Sequence, residues 1–175
     1  MKLLFNLRAA RNDDAKTLCA LATQVWLHTY ATDGVSPVIA DYVLDALSPA
    51  RFAQLLSDSE ANVVVAEHGD KLLGFVALRL NATCPSPSET SISRTELETL
   101  YVQAPFLGQG IGSALLRHAE TIARAHAPAH SGLWLTVNAR NARAIRFYAA
   151  HGYQKVGTHV FMLGGVGHEN HVMVG

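Results

Sequence analysis

The pattern of this 175-residue chain predicts an α/β protein built on one mixed, largely antiparallel sheet of about seven strands with helices on both faces. Three observations carry that reading. Short β-rich runs alternate with segments whose apolar residues recur at helical spacing. One strand, Leu97 to Val102, passes through a glycine-spaced turn straight into a long helix from Gly110. Two β runs, Gln154 to Leu163 and Asn170 to Val174, close the chain. A chain of this length buries enough surface for one core, so residues 1–175 are expected to form a single domain.

The elements follow in order. Leu3 to Ala9 alternates loosely and reads as an opening strand, after which Asn12-Asp13-Asp14 offers a cap and acidic first-turn residues to a helix ending near Tyr30. Leu18, Leu21, Ala22 and Val25 give that helix one apolar face. Ser36-Pro37 and Ser48-Pro49 each set a cap before a proline suited to the first helical position, so two short helices run to about Leu47 and Leu56. Val63–Ala66 and Leu72–Leu80, separated by His68-Gly69-Asp70-Lys71, read as an antiparallel hairpin. The Ser-, Pro- and Thr-rich segment 81–93 reads as a surface loop. The helix from Gly110 stops near His126 before Pro128, Leu133–Val137 is a further strand, and Asn141 caps a helix that ends at Gly152.

Composition excludes several functions. Lys plus Arg equals Asp plus Glu at 14 each, so there is no basic surplus for a phosphate backbone and a nucleic-acid partner is not expected. Met1–Phe5 is apolar only until Asn6 and Arg8, short of a secretory core, and no stretch reaches the ~20 apolar residues of a membrane span. Cys19 and Cys84 stand apart with no C-x-x-C partner, which suits a reduced, cytoplasmic setting. Nine histidines, among them His118, His126, His130, His168 and His171, form no H-E-x-x-H and pair with no cysteine at zinc spacing, so no metal is expected.

The most informative stretch is Glu96-Leu-Glu-Thr-Leu-Tyr-Val-Gln-Ala-Pro-Phe-Leu-Gly-Gln-Gly-Ile-Gly-Ser-Ala-Leu-Leu116. Glycines at 108, 110 and 112 let backbone N–H groups approach an anion, and the helix behind them offers its positive dipole end: a pyrophosphate cradle. A dinucleotide fingerprint counted from Gly108 needs glycine where Ser113 stands, and a P-loop needs a lysine where none lies between Lys71 and Lys155. A nucleophile elbow is excluded because Ser113 sits in Gly-Ile-Gly-Ser-Ala. A helix start that binds nothing is the competing reading.

The stretch resembles the coenzyme A-binding motif of the GNAT superfamily, Q/R-x-x-G-x-G/A, read here as Leu107-Gly108-Gln109-Gly110-Ile111-Gly112 with Ser113 following. Leu107 departs from the motif's first position, which implies weakened rather than abolished cofactor binding. Asn141-Ala-Arg-Ala-Ile-Arg-Phe-Tyr148-Ala-Ala-His-Gly-Tyr153 is similar to the family's later motif, N-x-x-A-I-x-x-Y-x-x-x-G-F/Y. Two motifs in order, one helix and one strand apart, are far more specific than either, and the match extends from about residue 61 to the end.

The resemblance implies the GNAT (acyl-CoA N-acyltransferase) fold with central strands splayed between Glu96–Val102 and Leu133–Val137. It implies acetyl-CoA as co-substrate, with the pantetheine arm held on main chain at Leu100 and Val102 and touched near Asn141, which also caps its helix. Tyr148 matches the tyrosine placed near the sulfur, where it would protonate the departing thiolate; the competing reading has it packing on a helix face with Ile145 and Ala149. Glu96 and Glu98 share a strand face and are the candidates for general base, directly or through water, against the reading that both are solvated charges. His28 is a candidate for the acceptor side, surface or core placement being the alternative.

Trp26-Leu-His-Thr-Tyr30, Glu96 to Val102 and Val156-Gly-Thr-His-Val-Phe-Met-Leu-Gly-Gly165 resemble the branch that includes bacterial polyamine N-acetyltransferases. That implies a small primary amine or polyamine acceptor, with Asp33, Asp41, Asp45, Glu96 and Glu98 as suppliers of negative charge. A protein N-terminus or lysine is the second choice of acceptor, and a non-catalytic acyl-CoA-binding sensor is the reading from another class. A homodimer is common in the family.

Overall fold

The computed structural model describes residues 3–86, 94–130 and 132–175. Seven strands form one mixed sheet: β1 (Asn6–Ala9), β2 (Ala61–His68), β3 (Lys71–Leu80), β4 (Thr95–Val102), β5 (Leu133–Asn138), β6 (Gln154–Leu163) and β7 (Val166–Val174). Their order across the sheet is β1-β2-β3-β4-β5-β7-β6. Among the described residues five α-helices accompany them: α1 (Ala15–Tyr30), α2 (Pro37–Ala46), α3 (Pro49–Ser57), α4 (Ile111–His126) and α5 (Ala142–Ala150). The hairpin β2–β3 and both Ser-Pro helix starts form as predicted; Ser36 accepts from Ile39 N–H and Ser48 from Arg51 N–H. Of the 81–93 loop, residues 87–93 lie outside the described residues.

The structure corrects three boundaries. The first strand begins at Asn6, not Leu3. Asn12–Asp14 is a 3-10 turn ahead of α1. Asp14 is taken there by Arg8, whose two terminal nitrogens reach its carboxylate oxygens at 2.7 and 3.0 Å while Nε holds Glu67 at 2.6 Å. A forked, charge-assisted contact of this kind outcompetes a helix cap. The last strand begins at Val166, not Asn170, because Gly164 and Gly165 both adopt positive φ (55° and 79°) and close a two-residue turn that puts Leu163 opposite Val166.

The contacts divide into two compact units interleaved along the chain. In the first, Met1–Ala77 with Thr99–Ala119, Leu18, Leu21 and Ala22 of α1 and Phe52 of α3 pack on Val63, Val65 and Phe75. Val64, Ala66 and Val76 on the alternate face are also buried, so β2 and β3 are covered on both sides and read as continuous apolar runs. Gly74 lies inside β3 because nothing larger fits: a Cβ there would stand 2.5 Å from the Tyr101 carbonyl oxygen and 3.2 Å from Val102 Cα. In the second unit, Leu78–Glu98 with Glu120–Gly175, Cys84, Trp134 and Val172 form a small core joined by Ala82, Val156 and Val174. Trp134 Nε1 donates to the Ala82 carbonyl at 3.1 Å, and Ser86 Oγ donates to the Val156 carbonyl at 3.2 Å.

Candidate active site

Between β4 and α4 the chain makes a 3-10 turn at Ala104–Phe106 and then the predicted glycine loop. Gly108 and Gly110 adopt φ of +75° and +85°, a region that costs other L-residues about 1–2 kcal/mol. A Cβ at either would meet nothing within 4 Å. These glycines are therefore required by backbone direction and not by space. Gly110 C=O accepts a helical bond from Ala114 N–H at 3.0 Å, so the N–H groups that open α4, at Ile111 and Gly112, precede the intrahelical ladder. Ile111 anchors the start, 1% exposed. Gln109 folds back, its Nε2 donating to the Pro105 carbonyl at 3.3 Å. Leu107 is half-buried between the two turns. A main-chain turn of this kind ahead of a helix start can accept an anion, and its backbone geometry does not depend on the side chain at 107.

Leu100 and Val102 are half-buried on β4. The parallel register between β4 and β5 runs over Thr95↔Leu133 and Glu96↔Trp134, at the start of both strands. From Trp134 to Asn138, β5 pairs with β7 on its other side.

Strand alternation puts Thr95 and Leu97 in the core and turns Glu96 and Glu98 to the other face. Glu98 is held by Arg79 of β3, Nε to Oε1 at 3.3 Å. Glu96 is half-buried, and its carboxyl is pushed from 4.5 up to about 7, first by burial and then by the negative charge of Glu98, with Arg79 pulling the other way. A carboxyl with that value is half ionised at neutral pH, which is what a general base needs. The two glutamates are therefore not equivalent. Arg79 escaped sequence reasoning because only the strand register reveals it as their neighbour.

On α5, Asn141 caps the helix, its Oδ1 accepting from Ala144 N–H at 3.1 Å, and Asn138 Oδ1 accepts from Arg140 N–H at 2.9 Å. Tyr148 is buried at 7% exposure, its ring 5.3 Å from Phe147 and 5.6 Å from Tyr153. Ala149, expected on the same face, is exposed. Tyr153 donates to Glu120 Oε1 at 3.3 Å, and burial beside that carboxylate drives its pKa far upward. His28, Asp33, Asp41 and Asp45 are all exposed. Among the described residues no group of three or more His, Cys, Asp or Glu side chains is placed to hold a metal ion, and no helix is long and apolar enough to cross a membrane.

Residues 12–153 match the sequence model of the Acetyltransferase (GNAT) family. The chain belongs to the GNAT family. An N-acetyltransferase of Mycobacterium tuberculosis is 31% identical to this GNAT chain over 161 residues, covering 92% of it and 96% of the relative. A peptidyl-lysine N-acetyltransferase of Salmonella typhimurium is 23% identical, covering 89% and 87% of the two chains. The fold is similar to that of a PaiA N-acetyltransferase of Thermoplasma acidophilum crystallised with coenzyme A, with a TM-score of 0.73 at 21% identity over 98% of both chains. This GNAT protein is an N-acetyltransferase with the seven-stranded sheet and flanking helices of its family.

Proposed function

We propose that this enzyme transfers the acetyl group of acetyl-CoA to a primary amine by direct attack in a ternary complex. Backbone N–H groups at Gly108–Ser113 would hold the pyrophosphate and main chain at Leu100 and Val102 the pantetheine arm, which Asn141 would also touch. The amine nitrogen forms the new C–N bond as the thioester C–S bond breaks. Glu96, directly or through water, accepts the proton the nitrogen gives up; Glu98 serves by its charge and its pairing with Arg79. Tyr148 supplies a proton to the thiolate. The whole of 1–175 acts as one catalytic domain on this reading.

The observation that carries catalysis over mere binding is Glu96: a half-buried strand carboxyl raised to about 7 is costly for a sensor to keep and useful to a base. The acceptor is a small amine or polyamine, in keeping with the resemblance of 156–165 and the early helix to polyamine enzymes. A peptidyl amine is the second reading, favoured by the name of the Salmonella relative. Calorimetric titration with acetyl-CoA, followed by thiol release against polyamines and peptides bearing free amines, tests both. Binding with turnover is expected; binding without turnover on any amine leaves the sensor, and no binding removes the cradle assignment.

A further inference from the structure

Register assigns a set of polar side chains to the face that carries Glu96. Side chains of directly paired residues share a sheet face. Glu96 pairs with Trp134, so Trp134, Thr136 and Asn138 of β5 lie on its side. Asn138 pairs with Asn170 of β7, and Asn170 with His159 of β6. One half of this face is closed by the Cys84–Trp134–Val172 core and by Ser86 Oγ, which lies 3.5 Å from where a Cβ on Gly157 would be. The other half, at the carboxyl end of β5, is the row Asn138–Asn170–His159. In open α/β sheets the carboxyl ends of strands are where ligands bind.

Within that row, Asn170 Oδ1 is buried and has no hydrogen-bond partner among the described residues. Asn138 Oδ1 is already used by Arg140 N–H at 2.9 Å. The backbone beneath is fixed by the β5–β7 ladder and by Ala139 N–H donating to the Glu169 carbonyl at 2.9 Å. A buried amide oxygen held without a donor is unfavourable by about 1–3 kcal/mol and is retained where a ligand can supply the donor. Asn138 stands four residues beyond Trp134, Glu96's register partner, or about 13 Å along the strand.

We propose that Asn170 determines acceptor specificity: its Oδ1 accepts a hydrogen bond from a second N–H donor of the amine, selecting linear diamines and polyamines over alkyl monoamines. This deepens the amine-acetylation reading above and rests on it.

The test compares α,ω-diamines, from diaminobutane to diaminooctane, with n-alkylamines of equal length on the parent enzyme and on Asn170→Leu, at saturating acetyl-CoA. The variant is expected to lose about tenfold in kcat/KM on the preferred diamine, the size of one hydrogen bond to a charged group. Its kcat/KM on monoamines and its KM for acetyl-CoA stay unchanged, and its Tm is equal or higher because an unpartnered polar group is gone. Equal loss on both amine classes, or loss on neither, overturns the proposal. Should Asn170→Leu not fold, Asn170→Asp is read instead and should favour diamines further while leaving monoamines alone; no change in that preference overturns it. If the parent acetylates no amine, the transferase reading fails separately. Calorimetry of the CoA-saturated protein with the same diamines then decides: affinity lost in Asn170→Leu supports the proposal, and equal or absent affinity overturns it.

Discussion

The glycine loop and the Glu96 face make opposite use of the chain. In the loop, the proposed function rests on main chain: two positive-φ glycines and the start of α4 would hold an anion whatever side chain occupies 107. On the face, the proposed function rests on side chains whose properties depend on distant neighbours. Glu96 and Glu98 are two residues apart on one strand, yet burial distinguishes them, and Arg79, from another strand, donates to Glu98. Local backbone chemistry tolerates substitution of side chains; tuned titration does not.

That contrast can be broken at its strongest point first. Glu96→Gln and Tyr148→Phe are each expected to lower kcat by about 10²-fold, the contribution of a positioned acid or base, with acetyl-CoA affinity kept; steady-state kinetics with calorimetry checks both halves. Next in size, Gly110→Val forces a branched side chain into positive φ and should raise KM for acetyl-CoA by about tenfold or more, the equivalent of 1–2 kcal/mol of backbone strain. A pH profile sharpens the comparison. A base must be ionised, so kcat/KM should rise with pH through about 7, the value to which burial and Glu98 push Glu96. Glu98→Gln removes the like charge and releases Arg79, so the midpoint should move to lower pH. The sign for stability is the reverse: a raised carboxyl favours folding below its ordinary 4.5 and loses that contribution as pH rises through about 7. The smallest effect is expected at the loop, where Leu107→Arg restores the motif's first residue and should tighten acetyl-CoA only about threefold, one exposed charge contact.

Elements marked by residues adjacent in sequence were legible: both Ser-Pro helices, the β2–β3 hairpin, the glycine loop and the Asn141 cap are where the chain predicts them. The Gly164-Gly165 turn was equally local, but reading β7 from its apolar end hid Val166–Glu169, which alternate too weakly to show as a strand. The site was legible as a roll of candidates and not as an arrangement. Sequence alternation put Glu96 and Glu98 on one face, but which of them is buried, that Arg79 faces Glu98, and that Asn138, Asn170 and His159 stand in a row all depend on register between strands.

Gly74 contributes none of the atoms assigned to chemistry, yet it acts as a gauge. The missing methyl group lets β3 lie against the Tyr101 carbonyl and Val102 Cα, and Val102 is where the pantetheine arm is expected to rest. If the arm rests there, the spacing of its bed is set from behind, by a residue outside the proposed site, and a search for variants of altered acyl-chain length could begin on that hidden side of the strand.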